Sequence, residues 1–139
     1  MPKILVVEDD PHWDKILQQH LSGLQGIVNT VTNFDDAVSK IEESIRLSQP
    51  YDAYILDTMF PKKPGALPAY EAPFELIEEM RGKGIQSERI FAVGYMDLAF
   101  MQKAKEMGLK KFYFKEKERR LEGQKHYTQI RADLAAVLR

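Results

Sequence analysis

The chain begins with a short apolar run that ends abruptly in three acids and a proline, Lys3-Ile4-Leu5-Val6-Val7-Glu8-Asp9-Asp10-Pro11. A continuous apolar run of this length is typical of a central parallel β-strand, because such a strand is buried on both faces. Asp10 and Pro11 predict the start of a helix, with the carboxylate as N-cap and the proline at the first helical position. The stretch therefore predicts a buried strand, a helix directly after it, and acids at the junction.

Two later apolar runs also end in a charged residue. Residues 51–57 predict a strand that ends in Asp57, and residues 111–114 predict a strand followed by Lys115. Parallel strands place their carboxyl ends at one edge of a sheet, so these side chains are expected to meet the acids of the first strand there. Neighbouring carboxylates repel by about 4 kcal/mol per pair at an effective dielectric near 20. Such a cluster therefore indicates a site for a divalent cation with a reactive carboxylate.

The rest of the chain alternates strand and helix patterns. Strands are predicted at residues 3–7, 26–32, 51–57, 89–93 and 111–114. Helices are predicted after Asp10, from Asp35 with Ile45 on the inner face, over residues 74–81, after Asp97, and from about His126. Residues 58–73 are predicted to be a loop, because they contain four prolines and a glycine. This alternation predicts an α/β fold with a doubly wound five-stranded parallel sheet between two helix layers, α/β/α.

Composition narrows the class of protein. The 139 residues are 44% hydrophobic and 29% charged, which is typical of a soluble globular protein of one domain. A single domain over residues 1–139 is expected, with no output domain. A net charge of −1 favours neither nucleic acid nor an anionic membrane as a partner. The absence of cysteine excludes disulfides and thiolate metal sites. No apolar stretch has the length of a signal peptide or a membrane span, so a cytoplasmic location is expected.

Three segments resemble the receiver domains of two-component response regulators. They are residues 3–11, residues 51–61 with Pro61 four positions and Gly65 eight positions past Asp57, and residues 108–115 with Lys115 at the end. The resemblance covers nearly the whole chain. It implies a flavodoxin-like (βα)5 fold of the CheY-like superfamily. It also implies an aspartate that accepts a phosphoryl group from a sensor histidine kinase or a phosphotransfer protein.

The resemblance assigns roles to individual residues. Asp57 is the expected phosphoacceptor, and Glu8 and Asp9 are expected to hold Mg²⁺ together with Asp57 and the backbone carbonyl of Met59. Lys115 is expected to pair with Asp57 at rest and with the phosphoryl oxygens afterwards. Mg²⁺ prefers such oxygen ligands and retains several waters. Any one of these residues alone would indicate only a helix cap or a solvated charge.

The resemblance also carries expectations about partners. The protein is not expected to be an enzyme, and its output is expected to be contact with a downstream protein. A homodimer is expected to use the surface of the fourth helix, the fifth strand and the last helix.

Two further expectations concern the surroundings of the site. Trp13 is expected to pack near the rim of the site, and the connection over residues 115–122 is expected to be solvated.

Several positions depart from the family pattern. Gly94 stands where the family usually has Ser or Thr, Phe112 where it often has Tyr, and Glu116 where it usually has Pro. A lost hydrogen bond to a charged group removes about 1.5–3 kcal/mol, which is comparable with a whole allosteric coupling of about 1–3 kcal/mol. We therefore expect that this protein transmits its phosphorylation state to the rest of the domain in an atypical way. Residues 66–73 form an insertion, either a variable solvated loop or a lid or kinase-docking surface.

Two other functions remain as alternatives, and a third, FMN binding, does not fit the sequence. A receiver-like module, or pseudo-receiver, would bind a partner whatever its phosphorylation state, which Gly94 and Glu116 favour. A Mg²⁺-dependent phosphohydrolase would need an acid two residues past the nucleophile, where this chain has Met59. An FMN-binding flavodoxin would need Ser, Thr and Gly after the first strand, where this chain has acids.

Overall fold

The structure, a computed structural model, describes residues 2–116 and 119–138. In chain order the elements of this part are β1 (Lys3–Val7), α1 (Pro11–Leu21), β2 (Ile27–Val31), α2 (Phe34–Arg46), β3 (Ala53–Asp57), β4 (Phe60–Pro61), β5 (Pro68–Ala69), α3 (Ala72–Gly82), β6 (Ile90–Gly94), α4 (Leu98–Glu106), β7 (Lys111–Phe114), β8 (Lys125–His126) and α5 (Ile130–Val137). Short 3-10 turns precede β6 and α5, at Ser87–Arg89 and Tyr127–Gln129.

The main sheet is parallel throughout and has the order β2-β1-β3-β6-β7-β8. The strand order reverses at β1, which lies between β2 and β3. In a sheet of this kind ligands bind at the carboxyl ends of the strands beside the reversal. The predicted doubly wound α/β fold is confirmed, and β8 adds a sixth strand to the five that were predicted.

Alternate residues of each strand pack into two apolar layers. Leu5 and Val7 of β1 belong to the layer that also buries α2, α3 and α4. Ile4 and Val6 belong to the layer that buries α1 and α5. Because both faces of β1 are covered, its side chains are almost wholly removed from water. Each such side chain contributes about 1.5–3 kcal/mol relative to an exposed one, so the central strands hold the site edge rigidly.

The start of α2 differs from the prediction. α2 begins at Phe34, one residue before the predicted start at Asp35, and Asn33 is its N-cap, with a side chain that accepts the Asp36 N–H at 2.9 Å. Ile45, predicted to face inward, is 45% exposed, and Ser44 is buried in its place. The Ser44 hydroxyl donates to the Ile41 carbonyl at 2.7 Å, which satisfies its polar group inside the helix.

Residues 58–73 are more ordered than a loop. Pro61 and Pro68 face each other in the antiparallel pair β4–β5, and Phe60 beside them is fully buried. The helix predicted over residues 74–81 begins at Ala72, which is also buried. The prediction of a solvated loop over residues 66–73 therefore agrees with the exposure of residues 66–68, 70 and 71 and is wrong at Ala72 and Pro73, which are buried. Proline is tolerated in so short a ribbon and in a first helical turn, because no ladder or helix bond needs its N–H there.

The connection after β7 is exposed at most of its described residues, as predicted, namely Glu116, Arg119, Arg120 and Glu122. Lys115 is buried instead, and Leu121 packs partly against the core; positions 117 and 118 of this connection lie outside the described residues. β8 then pairs with β7 in parallel, with Tyr113 opposite Lys125. The last helix begins at Ile130, four residues later than predicted. Within the described residues, none of the helices combines the length and the apolar character that crossing a membrane requires.

Candidate functional site

Four of the predicted site residues converge at the carboxyl edge of the sheet. Glu8 follows β1 directly, Asp57 ends β3, and Lys115 follows β7. Carboxylate oxygens of Glu8, Asp9 and Asp57 all lie within 4.8 Å of one another. The Lys115 Nζ lies 2.5 Å from Glu8 Oε1 and 3.4 Å from Asp57 Oδ1. The fold therefore assembles three acids and one base from three different strands.

The cluster is partly closed to water. The side chains of Glu8 and Lys115 are each 3% exposed, whereas that of Asp57 is 12% exposed. Part of the Asp57 side chain thus remains in contact with solvent. This residue is the one member of the Glu8, Asp57 and Lys115 group that retains appreciable access to a reactant.

Burial and excess negative charge shift the pKa values of the acids in this cluster. Burial, followed by the proximity and negative charge of Asp57, raises the pKa of Glu8 from 4.5 to about 9, against the opposing effect of Lys115. Burial and the charge of Asp57 also raise the pKa of Asp9. The single positive charge of Lys115 does not neutralise three carboxylates in so buried a place. The cluster therefore favours the binding of an additional positive charge, either a proton or a cation.

The free lone pairs of the cluster suit a hard cation. Glu8 Oε1 is engaged by Lys115, whereas Glu8 Oε2 is buried and has no hydrogen-bond partner among the described residues. Asp9 and Asp57 supply further carboxylate oxygens at the same point. An all-oxygen donor set of this kind fits Mg²⁺. The fourth predicted ligand, the carbonyl of Met59, belongs to a residue whose side chain is exposed, and its role stays a prediction.

This charge balance has a measurable consequence for stability in metal-free buffer. Because the folded protein holds the Glu8 proton more tightly than the unfolded chain does, stability is expected to fall as pH rises from 4.5 toward about 9. Glu8→Gln carries no such proton and is expected to flatten this slope. Urea unfolding in a chelator across that range is the measurement, and equal slopes for the two proteins would contradict it.

The surroundings of Asp57 also explain Gly94. A Cβ at position 94 would lie 2.8 Å from Asp57 Oδ1 and 2.7 Å from Thr58 Oγ1. The backbone of Gly94 has φ +147°, a conformation that residues with a side chain rarely adopt. The hydroxyl that the resemblance leads one to expect at this position has no room here, because the Asp57 carboxylate and Thr58 occupy the space.

Gly94→Ala is accordingly expected to lower the free energy of unfolding by roughly 1–3 kcal/mol, from backbone strain and the close contacts together. Gly82→Ala is the matched control, because a Cβ at that helical position would meet nothing within 4 Å. That control is expected to be neutral or stabilising by about 0.5–1 kcal/mol. Urea denaturation of the three proteins decides the point, and a Gly94→Ala protein as stable as the wild type would refute the steric account.

The remaining predicted positions have plain structural roles. The Asp10 carboxylate accepts the His12 N–H at 2.9 Å, which confirms the predicted helix cap. Phe112 is buried in the core and has no hydroxyl to reposition. The Trp13 ring centroid lies 5.1 Å from Lys115 Nζ, which confirms its expected place at the rim.

Sequence reasoning missed Thr58 and Tyr95. The Thr58 N–H donates to Asp57 Oδ1 at 2.7 Å, and its hydroxyl donates to the Tyr95 carbonyl at 3.2 Å. The position of Thr58 directly after Asp57 was the available signal. No pattern in the chain pointed to Tyr95, because its contact with Thr58 spans 37 positions.

The structure also contains a groove that lies away from these residues. It has a volume of about 800 Å³ and is lined by side chains of α3 and α4, among them Phe74, Glu78 and Lys103. None of the predicted site residues lines it. The candidate site is therefore defined by its charges and donor atoms, and not by the size of a cavity.

The sequence matches no protein-family model and no curated protein. Solved structures do match. The chemotaxis response regulator CheY4 of Vibrio cholerae is 18% identical with a TM-score of 0.68, over 99% of this chain and 99% of that one. A response regulator receiver domain protein from Clostridium thermocellum is 17% identical with a TM-score of 0.69, over 99% and 94% of the two chains. The phosphorylated cyanobacterial phytochrome response regulator RcpA is 19% identical with a TM-score of 0.65, over 84% and 82%.

These likenesses extend over nearly the whole chain and agree with the strand order and helix layers described above. The chain therefore has the flavodoxin-like fold of the response-regulator receiver domains.

Proposed function

We propose that this protein is a phosphoacceptor receiver, in which Asp57 takes a phosphoryl group from a phosphohistidine of a sensor kinase or phosphotransfer protein. The observation that carries the proposal is the convergence of Asp57 with Glu8 and Asp9 on one side and Lys115 on the other. A reactive carboxylate needs access to the donor and compensation for the charge of the incoming group. Asp57 is accessible, and the cluster offers both an ammonium group and a cation site.

The geometry indicates which oxygen of Asp57 reacts. Oδ1 accepts the Thr58 N–H and lies 3.4 Å from Lys115 Nζ, so Oδ2 is the oxygen left for attack. As the new bond from Oδ2 to phosphorus forms, the bond from phosphorus to the donor imidazole nitrogen breaks, and that nitrogen keeps the electron pair. Lys115 is then positioned to pair with the phosphoryl oxygens by a charge-assisted hydrogen bond.

Glu8, Asp9 and Asp57 would hold Mg²⁺, whose charge offsets the repulsion between the carboxylate and the phosphoryl group. The likeness to a phosphorylated response regulator supports this proposal at the level of the fold. Incubation with acetyl phosphate and Mg²⁺, followed by intact-mass measurement, is the test. A mass increase of one phosphoryl group that depends on Mg²⁺ is the expected result, and an unchanged mass would overturn the proposal.

The pseudo-receiver remains the second candidate, because two observations favour it. Position 94 has no room for a switching hydroxyl, and Phe112 is sealed in the core. Such a module would bind its partner equally well with and without the phosphoryl group. A phosphohydrolase is less compatible, since Met59 supplies no acid at the required position.

Output through protein contacts is part of the proposal, in one cytoplasmic receiver domain that binds neither nucleic acid nor membrane and is not itself an enzyme. The expected dimer surface is changed by β8, which pairs with β7 and occupies its edge. The same surface in this chain therefore consists of α4, β8 and α5. Any homodimer through this side would contact β8 where the prediction had placed the strand of residues 111–114.

A further inference from the structure

Thr58 occupies the space in which a side chain at position 94 would lie. Its Oγ1 and the Asp57 Oδ1 both lie within 2.8 Å of the point at which a Cβ of residue 94 would stand. The hydroxyl is therefore close to the Asp57 carboxylate although it belongs to the neighbouring residue of the chain. Thr58 is 8% exposed, so few waters compete for its hydrogen bonds.

Thr58 contacts the two segments that a signal at Asp57 would have to connect. Its N–H donates to Asp57 Oδ1 at 2.7 Å, and its hydroxyl donates to the Tyr95 carbonyl at 3.2 Å. Tyr95 lies in the turn between β6 and α4. Asp97, at the end of the same turn, caps α4 by accepting the Phe100 N–H at 2.8 Å.

The Tyr95 side chain lies at the surface, so a conformational change of this turn would alter an exposed part of the protein. Its ring is 50% exposed. It packs edge-on against Trp13, with ring centroids 6.1 Å apart, and against Phe114, with centroids 5.8 Å apart. A movement of the Tyr95 backbone would therefore alter an exposed aromatic surface beside the site.

We propose that Thr58 is the positioning residue that couples the state of Asp57 to the Tyr95 turn and the start of α4. The inference rests on the proposed function. A hydroxyl has one proton to donate, and a charged phosphoryl oxygen is a stronger acceptor than a backbone carbonyl. When Asp57 carries a phosphoryl group, the Thr58 hydroxyl turns toward it and releases the Tyr95 carbonyl. The turn and the first part of α4 then change their conformation.

Thr58→Val tests this coupling, because it removes the hydroxyl and keeps the branched shape. Thr58→Ser is the matched control, since it restores the hydroxyl. Beryllofluoride with Mg²⁺ serves as the phosphoryl mimic. The ¹⁹F NMR signal of bound beryllofluoride reports occupancy of the site in every variant. Trp13 fluorescence does not serve this purpose, because the Trp13 ring packs against Tyr95 and would respond to movement of the turn. Hydrogen–deuterium exchange of peptides covering residues 95–106 reports the response of the turn and α4.

The wild type and Thr58→Ser are expected to change their exchange over residues 95–106 when the mimic binds. Thr58→Val is expected to bind the mimic, as its ¹⁹F signal shows, and to lose that change. A Thr58→Val protein that keeps the wild-type response would overturn the coupling, as would a wild type that binds the mimic without any response. Should the Val variant not fold, Thr58→Ala removes the same hydroxyl and is judged by the same outcomes. Failure of the wild type to gain mass from acetyl phosphate would instead refute the proposed function, and the coupling with it.

Discussion

Asp57→Asn is expected to abolish phosphoryl uptake from acetyl phosphate completely. The amide has nearly the shape of the carboxylate, but it lacks the negative charge and the nucleophilic oxygen that form the acyl phosphate. Glu8 does not replace it, because Glu8 is buried and binds Lys115 through Oε1. Intact-mass measurement after incubation with acetyl phosphate and Mg²⁺ gives the result directly.

Asp52→Asn is the matched control for this experiment. Asp52 lies at the opposite end of the same strand region, where its carboxylate accepts the Lys3 N–H at 2.8 Å, a bond that the amide oxygen of Asn can also accept. This variant is expected to gain the same mass as the wild type. Phosphoryl uptake by the Asp57→Asn protein would place the acceptor elsewhere and remove the basis of the assignment.

Lys115→Met is expected to lower the free energy of unfolding by about 3–5 kcal/mol at neutral pH in chelator, because it leaves a buried acid cluster without its cation. The side chains of Lys115 and Glu8 are each 3% exposed, so water does not replace the lost ion pair. The loss is expected to be smaller at low pH, where protonation of Asp9, whose pKa is also raised, further relieves the repulsion. Mg²⁺ is expected to recover part of the loss, since it supplies positive charge to the same oxygens.

The control for this variant is an ion pair at the surface. Lys62→Met breaks the pair with Glu75, whose N–O distance is 3.1 Å and whose side chains are 44% and 48% exposed. Its expected cost is about 0.2–1 kcal/mol, because solvent screens exposed charges. Urea unfolding of both variants with and without Mg²⁺ is the measurement. Equal costs for the two variants would show that the Lys115 pair is not structurally special.

Much of the fold could be predicted because its signals are local. The continuous apolar run of residues 3–7 can be buried on both faces only in the middle of a parallel sheet, and this strand has the predicted bounds. Asp10 capped its helix as predicted, since an N-cap depends on residues two or three positions away. The cap of α2 was missed because Asn33 and the acids at positions 35 and 36 are all good capping residues. Propensity alone does not choose among them.

The elements that were missed depend on distant partners. β4 and β5 are two residues each and exist because Phe60 is buried and the ribbon closes on itself. β8 is equally short and is defined by its pairing with β7. No run of two residues has a periodicity that can be recognised, so these strands become visible only when the neighbouring strand is in place.

Local sequence patterns were enough to predict the doubly wound α/β architecture and the positions of Glu8, Asp57 and Lys115 at the ends of three strands, because strand burial and strand ends depend on neighbouring residues. How those charges are shared depends on the packing of the whole fold. It paired Lys115 with Glu8 more closely than with Asp57, and it filled the space at Gly94 with Thr58. These are contacts between residues up to 107 positions apart, and their geometry depends on how the strands twist and pack together.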